Sequence, residues 1–470
     1  MMNLEKELKL SKKRALHKLF QTVLKEIRPT RAEIASATEY SNELMGRLKA
    51  LLPKNVEIIL AGSVARGTQI RGNADIDIFL LFPKTLPERK MESKAISIAK
   101  KIVHKHKNED YIINYAEHPY LRLVSKDKQL FADIVPAFKI SDAEEMGSAV
   151  DRTQLHNKFI IKHFSKEQPD DVRLLKYFLK AHNIYGAEAK TAGFSGYLCE
   201  LLIYHYGSFL NLLLSIEKTS LPLAIDAKGK NEIHNSKEVE ILTKKFNSRF
   251  IVIDPTDPNR NVAANVSEEA LARLVFAARN LLKNPIRDQF EPVRYSDVRA
   301  MAKLGAIKRR YGIDLYVMHF KVPKISEDII IPQLKRLNGN VVGIMSKHAM
   351  QPLLSLHNLK ERDAVIAFFT NHAVSESVVS KGPSVFIRDG SNAFYKKHLS
   401  DSNVFIDGER LFSLERSEYK NPRELLLAIL KDKSIFPSYI NPNQARLYLN
   451  KMPEDYAKLV YRAYVEKMYL

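Results

Sequence analysis

Cysteine is almost missing from this 470-residue chain, in which Cys199 stands alone. One thiol excludes an intramolecular disulfide framework and a cysteine-rich zinc site. Cys199 lies in the mostly apolar run 197–203, which makes it a packed core thiol rather than a nucleophile. Long apolar runs are also lacking. Residues 209–216 form one of the longest, and Asn211 and Ser215 interrupt it, too little to span a bilayer. The N-terminus mixes Glu5, Lys6, Glu7 and Lys9 with Leu4, Leu8, Leu16 and Leu19. That pattern fits a surface helix and lacks the unbroken apolar core of a signal peptide, so a cytoplasmic protein without a membrane partner is expected. Acidic residues are short by comparison with basic ones, 54 against 74, for a net charge of +20. Such an excess selects polyanionic partners, nucleic acid above all, over a merely soluble surface. From residue 291 onward 28 basic face 19 acidic residues, leaving +9 there and +11 in the first 290. The charge runs along the whole chain and is no detachable tail.

The length predicts two to four domains, and 45% hydrophobic with 27% charged residues places the chain among globular proteins. Residues 1–50 read as helical, broken at Pro29 and recapped by Thr30. Four β-like runs follow, at 56–61, 76–82, 120–124 and 131–135, and predict an α/β or α+β domain ending near residue 150. From 169 to 282 the period turns helical: Leu174, Leu175, Phe178 and Leu179 share a face, and Ser267 caps a helix beginning at Glu268. Asp254-Pro255 and Asp257-Pro258 make a turn-rich joint before it. Beyond a boundary near Asn284-Pro285, residues 315–322 read as a strand and Asn338-Gly339-Asn340 as a turn, and helices dominate from Asn421 onward.

Chemistry concentrates in Ala61-Gly-Ser-Val-Ala-Arg-Gly-Thr-Gln-Ile-Arg-Gly-Asn-Ala-Asp-Ile-Asp77. Gly62-Ser63 stands where an apolar strand ends, so the backbone can approach a phosphate and following amides can donate to it. Ser63 adds a hydroxyl and Arg66, a helical turn later, a cation. Asp75 and Asp77, two apart at the start of a strand, face the same way. Two like charges beside a buried apolar strand are costly without a cation. Mg²⁺ suits them, because it takes carboxylates, waters and phosphate oxygens together. Asp133 interrupts another apolar strand, and if that strand lies beside the first, three carboxylates converge on a two-metal site for in-line attack on an α-phosphate. A lone Asp-x-Asp is commonly a solvated turn. Gly-Ser, the spacing to Asp75, the apolar strand and the distant Asp133 together single out this one.

These residues resemble the motif of the polymerase-β nucleotidyltransferase superfamily. The match narrows through Ala116-Glu-His-Pro-Tyr120, Arg152-Thr153 with His156, Arg173-Leu-Leu-Lys-Tyr-Phe-Leu-Lys180 and Ile184-Tyr-Gly-Ala-Glu188. With Gly193-Phe-Ser-Gly-Tyr-Leu-Cys-Glu-Leu-Leu202 and Asp254-Pro-Thr-Asp-Pro-Asn-Arg-Asn-Val-Ala-Ala-Asn265, they resemble archaeal-type (class I) CCA-adding enzymes over about residues 28–285. The resemblance implies a multidomain α+β architecture. A polymerase-β-like head with a mixed sheet would take residues 1–150 and a helical nucleotide-binding neck 151–285. An α/β tRNA-binding body would take 286–400 and a mainly helical tRNA-binding tail 401–470. It also implies template-independent addition of C, C and A to tRNA from CTP and ATP. A homodimer is the assembly considered.

By motif, Gly62, Ser63 and Arg66 would hold the NTP phosphates and Asp75, Asp77 and Asp133 would hold Mg²⁺. His156, Lys176 and Tyr185 would complete the triphosphate and sugar contacts, and Arg260 would meet the base edge. Plain alternatives stand beside each. Arg173, Lys176 and Lys180 at i, i+3 and i+7 make a basic stripe opposite an apolar face, ordinarily a solvated one. His156 alone would be structural, Tyr185 a packing tyrosine and Arg260 an exposed loop arginine. A poly(A) polymerase or small-molecule adenylyltransferase is the rival within enzymes, and a non-catalytic tRNA-binding protein the rival outside them.

Overall fold

A computed structural model describes residues 8–72, 75–105, 110–115, 118–125, 130–229, 231–292, 294–372, 377–399 and 403–468. Leu4, Glu5, Lys6 and Glu7 of the expected surface helix and Ala116-Glu117 of the expected motifs lie outside these residues. The chain divides into two compact units between Pro292 and Val293.

The first unit opens with α1 (Leu10–Ile27) and α2 (Arg31–Lys49). Thr30 caps α2 as its position predicts: its hydroxyl accepts from the Glu33 amide while the Glu33 carboxylate accepts from the Thr30 amide. Next come β1 (Glu57–Ala61), α3 (Gly62–Ala65), β2 (Asp75–Phe82), α4 (Glu88–Lys105), β3 (Asp110–Tyr115), β4 (Pro119–Val124) and β5 (Phe131–Phe138). The sheet order is β1-β2-β5-β4-β3, with β2 and β5 parallel and the other pairs antiparallel. Alternation along β2 sends Ile76, Ile78, Leu80 and Phe82 to one face. There they pack with Leu44 and Leu48 of α2 and Met91, Ala95 and Ala99 of α4. Asp75 and Asp77 take the other face. Strand β3 was not among the four runs expected.

Helices α5 (Thr153–His163), α6 (Gln168–Ala181), α7 (Gly196–Tyr206) and α8 (Phe209–Ile216) follow. Then come β6 (Leu223–Asp226), β7 (Asn231–Glu232), α9 (Ser236–Phe246), β8 (Phe250–Asp254), β9 (Asp257–Asn261) and α10 (Glu268–Lys283), the last capped by Ser267 as expected. The period-based reading of 169–282 as helical misses the small sheet β7-β6-β8-β9, whose strands of two to five residues are too short to show a period of two. The joint of Asp-Pro pairs is the tight β8–β9 hairpin. Side chains of α1, α6, α7, α8 and α10 share one core, in which Phe178 meets Phe209 and Phe290 at ring distances of 5.7 and 5.3 Å. No single helix among the described residues is long and apolar enough to cross a membrane.

The second unit contains α11 (Ala300–Tyr311), β10 (Ile313–Lys321), α12 (Glu327–Lys347), β11 (Leu354–Lys360) and β12 (Asp363–Asn371). It continues with β13 (Ser377–Ser384), α13 (Arg388–His398), β14 (Val404–Asp407), β15 (Arg410–Arg416), α14 (Pro422–Lys431), β16 (Arg446–Leu449) and α15 (Glu454–Met468). One sheet runs β11-β12-β10-β16, with α11 and α15 packed on a shared core, and a second runs β13-β15-β14. The expected turn at Asn338-Gly339-Asn340 is instead inside α12. Buried Ile330, Ile331, Leu334, Leu337, Val341 and Met345 keep the helical period through it, and Asn338 is itself buried, 3.4 Å from the Ser355 hydroxyl. An apolar stripe outweighs the local preference of two asparagines and a glycine.

Truncating Phe178, which is fully buried among aromatic rings, removes a ring and leaves a cavity. Phe178→Ala should destabilise the first unit by about 3–5 kcal/mol in urea unfolding followed by circular dichroism; a loss below about 1 kcal/mol would contradict this packing.

Candidate active site

The β2–β5 register sets the site. Asp77 is paired directly with Asp133, and Asp75 precedes it by two residues on the same face. Two neighbours flank this row. Ala61 of β1 lies opposite Asp77, and Arg122 of β4 lies opposite Asp133. Arg122 grips Asp133 with both nitrogens, Nε to Oδ1 at 2.7 Å and Nη2 to Oδ2 at 2.6 Å. Such a fork is among the stronger charged contacts. Burial, then the charges of Asp133 and Asp75, push the Asp77 carboxyl up to about 7, against the pull of Arg66 and Arg122. Three carboxylates on one sheet face offer the hard oxygen donors that suit a divalent cation such as Mg²⁺. A separate group, His118 with Glu88 and Glu92, sits at the start of α4, with His118 Nδ1 3.0 Å from Glu92 Oε1.

Gly62 follows β1 and begins α3. Its φ of +70° is in the left-handed region, and a Cβ there would sit 1.8 Å from Asp77 Oδ2. Both reasons demand glycine. Ser63 and Arg66 are carried by the short turn that follows, and the Thr68 amide donates to the Ser63 carbonyl at 2.9 Å.

Helix α6 braces the loop beyond. Arg173 donates to the carbonyls of Gly67 and Gln69, the latter at 2.8 Å, and Lys176 Nζ lies 3.1 Å from the carbonyl between them, that of Thr68. The solvated-stripe alternative therefore fails for these two: Arg173 is 7% and Lys176 4% exposed. Lys180 completes the row nearer the carboxylates. Its Nζ stands 5.3 Å from the Tyr185 ring centre, and the Asp75 charge partly offsets the lowering of its pKa by burial. Tyr185 lies on the connection from α6 to α7, and its hydroxyl and the Lys176 side chain both approach Gly196. Burial, with Cys199, Glu200 and Asp75 among the charges around it, holds its phenol well above the ordinary range.

A second cluster gathers on Asp254 at the end of β8. The buried Asp254 carboxylate receives Arg260 Nη1 at 2.8 Å and lies 2.9 Å from His156 Nε2, both on Oδ2, while the Tyr197 hydroxyl is 3.2 Å from Oδ1. Tyr197 stacks on His156 at 3.7 Å between ring centres. Burial opposes the charged form of Asp254, but the hydrogen bond and charge of His156, with Thr256 and Arg260, hold its carboxyl below the usual range. Burial also lowers His156, which favours its neutral form. Asn157, next to His156, ties α5 to the first cluster by donating to the Leu60 carbonyl at 3.1 Å and accepting from Arg66 at 3.4 Å.

The structure thus brings Gly62, Asp75, Asp77 and Asp133 together at one sheet face, with Ser63 and Arg66 on the adjoining turn. Lys176 and Tyr185 stand against the loop, while His156 and Arg260 share the Asp254 cluster. Sequence reasoning missed Arg122, Lys180, Glu200 and Asp254 as members. Arg122 breaks the apolar run of β4 and Glu200 that of α7, a charge in an apolar run being the signal; Asp254 was read only as half of a turn.

Gly62→Ala should abolish the activity of this site while circular dichroism stays native, because the methyl displaces the Asp77 carboxylate. An active, folded variant would contradict that close approach.

Three family models match the chain in order: a nucleotidyltransferase domain over residues 41–160, the second domain of tRNA nucleotidyltransferase over 170–291, and the C-terminal domain of CCA-adding enzyme over 311–436. The CCA-adding enzyme of Methanocaldococcus jannaschii is 35% identical over 445 residues, spanning 92% of this chain and 95% of that one. Those of Archaeoglobus fulgidus and Pyrococcus abyssi are 33% and 35% identical over 87% and 84% of this chain, and 88% and 86% of their own. Among solved structures, a cytoplasmic RNA terminal U-transferase overlaps 60% of the chain at a TM-score of 0.46 and 16% identity. With this site geometry and likeness along most of its length, the chain belongs to the CCA-adding enzyme family.

Proposed function

We propose that this protein builds and repairs the 3′-terminal CCA of tRNA in the cytoplasm, transferring CMP, CMP and AMP from CTP and ATP to the 3′-hydroxyl with release of pyrophosphate. The observation that carries the reading is the pairing of Asp77 with Asp133, with Asp75 on the same face, beside a turn whose Gly62 closely approaches Asp77. Asp75, Asp77 and Asp133 are the ligands for Mg²⁺. Bound there as a pair, the metal supplies a lowered pKa for the attacking hydroxyl and charge neutralisation for the leaving pyrophosphate.

The remaining roles belong to the chain's own side chains. The Ser63 hydroxyl and the Arg66 guanidinium hold the phosphates, with the Lys176 ammonium behind them. Tyr185 and His156 orient the triphosphate and sugar. Arg260, fixed on Asp254 with donors to spare, meets the base edge. Positive charge spread over both halves of the sequence supports a long polyanionic partner, tRNA, with residues 286–400 and 401–470 as its body and tail contacts.

Incubation with tRNA lacking CCA, giving each NTP alone and then CTP with ATP, tests this directly. CTP alone should add two residues, and CTP with ATP should end the product at CCA; unlimited addition of A would identify a poly(A) polymerase instead. Asp77→Ala should stop addition and leave tRNA binding intact, and surviving turnover would remove the metal role. The tRNA affinity should fall steeply with salt through counterion release; a flat response would contradict the basic surface.

A further inference from the structure

Glu200 of α7 has none of its side chain exposed, and a carboxylate tolerates that only when paired. Its partners come from the turn after α3. Arg66 Nε lies 3.0 Å from it and the Thr68 hydroxyl donates to it at 2.6 Å. Lys176 of α6 closes the group, with Nζ 3.2 Å from that same hydroxyl and 3.1 Å from the Thr68 carbonyl. Arg66 therefore meets the buried carboxylate directly and Lys176 is linked to it through the Thr68 hydroxyl, leaving two cations for one anion beside the Gly62–Ser63 turn.

We propose that Glu200 is a positioning residue for nucleotide binding, whose carboxylate holds Arg66 and, through Thr68, Lys176 in the poses from which they meet the triphosphate. This rests on the reading that Arg66 and Lys176 hold NTP phosphates. The charge matters as well as the shape. Glutamine at 200 would keep an acceptor for Arg66 and Thr68 but leave two buried cations facing each other without an anion. Burial already holds Lys176 below its ordinary range, and Glu200 opposes that shift. The other groups facing Lys176 are Cys199 of α7, Arg66 and, on its own helix, Lys180, with the Tyr185 hydroxyl nearby. Without the Glu200 charge the Lys176 pKa falls further, so its ammonium is lost at a lower pH. Nucleotide affinity is then lost earlier as pH rises.

The test compares full-length wild type with Glu200→Gln and Glu200→Asp for equilibrium CTP binding with Mg²⁺, and for KM and kcat from neutral to alkaline pH. In Glu200→Gln the KM for CTP should rise about tenfold or more, with kcat changed less. Its alkaline limb should move to lower pH and its KM for tRNA should stay put. Glu200→Asp, which keeps the charge, should recover part of the affinity. A folded Glu200→Gln enzyme with wild-type CTP affinity and pH profile overturns the proposal. Arg66→Ala and Lys176→Met separate the two levels. If neither weakens CTP binding, the phosphate reading falls; if both do and Glu200→Gln does not, only the role of Glu200 falls. Should Glu200→Gln not fold, Thr68→Val removes the shared hydroxyl: a raised KM for CTP supports the proposal and a wild-type KM overturns it.

Discussion

Parallel pairing of β2 with β5, in the register that sets Asp77 against Asp133, is the constraint on which the rest of the site depends. Side chains in a sheet alternate faces, so a slip of one residue in either strand would turn a carboxylate into the helix-covered core. The core prevents that slip: Ile76, Ile78 and Leu80 of β2 and Ala132 and Ile134 of β5 bury the opposite face against α2 and α4. Hydrophobic burial on one side thus places charge on the other. The adjoining strands inherit the same register, which brings Ala61 and Gly62 close to Asp77 and seats Arg122 on Asp133.

Charges gathered in this way have to be compensated locally. Arg122 answers Asp133, Arg66 answers Glu200, and Arg260 answers Asp254 with His156 hydrogen-bonded beside it. Two of these contacts, Arg66 with Glu200 and His156 with Asp254, join residues far apart in sequence, so they also fasten α7 to the turn after α3 and α5 to β8. The loop at residues 67–69 shows this most clearly. Its three carbonyls in turn face Arg173, Lys176 and Arg173 again, so a segment with little core of its own is held by cations of α6. Cations on that helix are structural braces as well as candidates for binding phosphate.

Much of this was legible before any coordinates. Asp75 and Asp77 announced a shared face through their spacing, and Asp133 stood out as a charge inside an apolar strand. The Thr30 and Ser267 caps declared their helices through local side-chain chemistry. Where local signals were weak or conflicting, the reading failed. The strands of the small sheet are too brief to show a period, and Asn338-Gly339-Asn340 reads as a turn until the apolar stripe of α12 is weighed. Spacing alone left the basic stripe on α6 between a solvated face and a functional one, because it says nothing about which loop lies across it.

Sequence alone determined which residue types could do the chemistry: the acidic trio, the glycine turn, the excess of basic charge and the motifs shared with the family. Periodicity and capping act over a few residues, so they are written in neighbouring positions. Tertiary structure alone decided which distant groups meet, as when Glu200 joins Arg66 and Thr68, Asp77 comes to lie against Asp133, and β16 returns to the edge of β10. Those contacts are set by strand register and by the need to pair buried charge, both of which depend on how separate segments pack and on no single stretch of the chain.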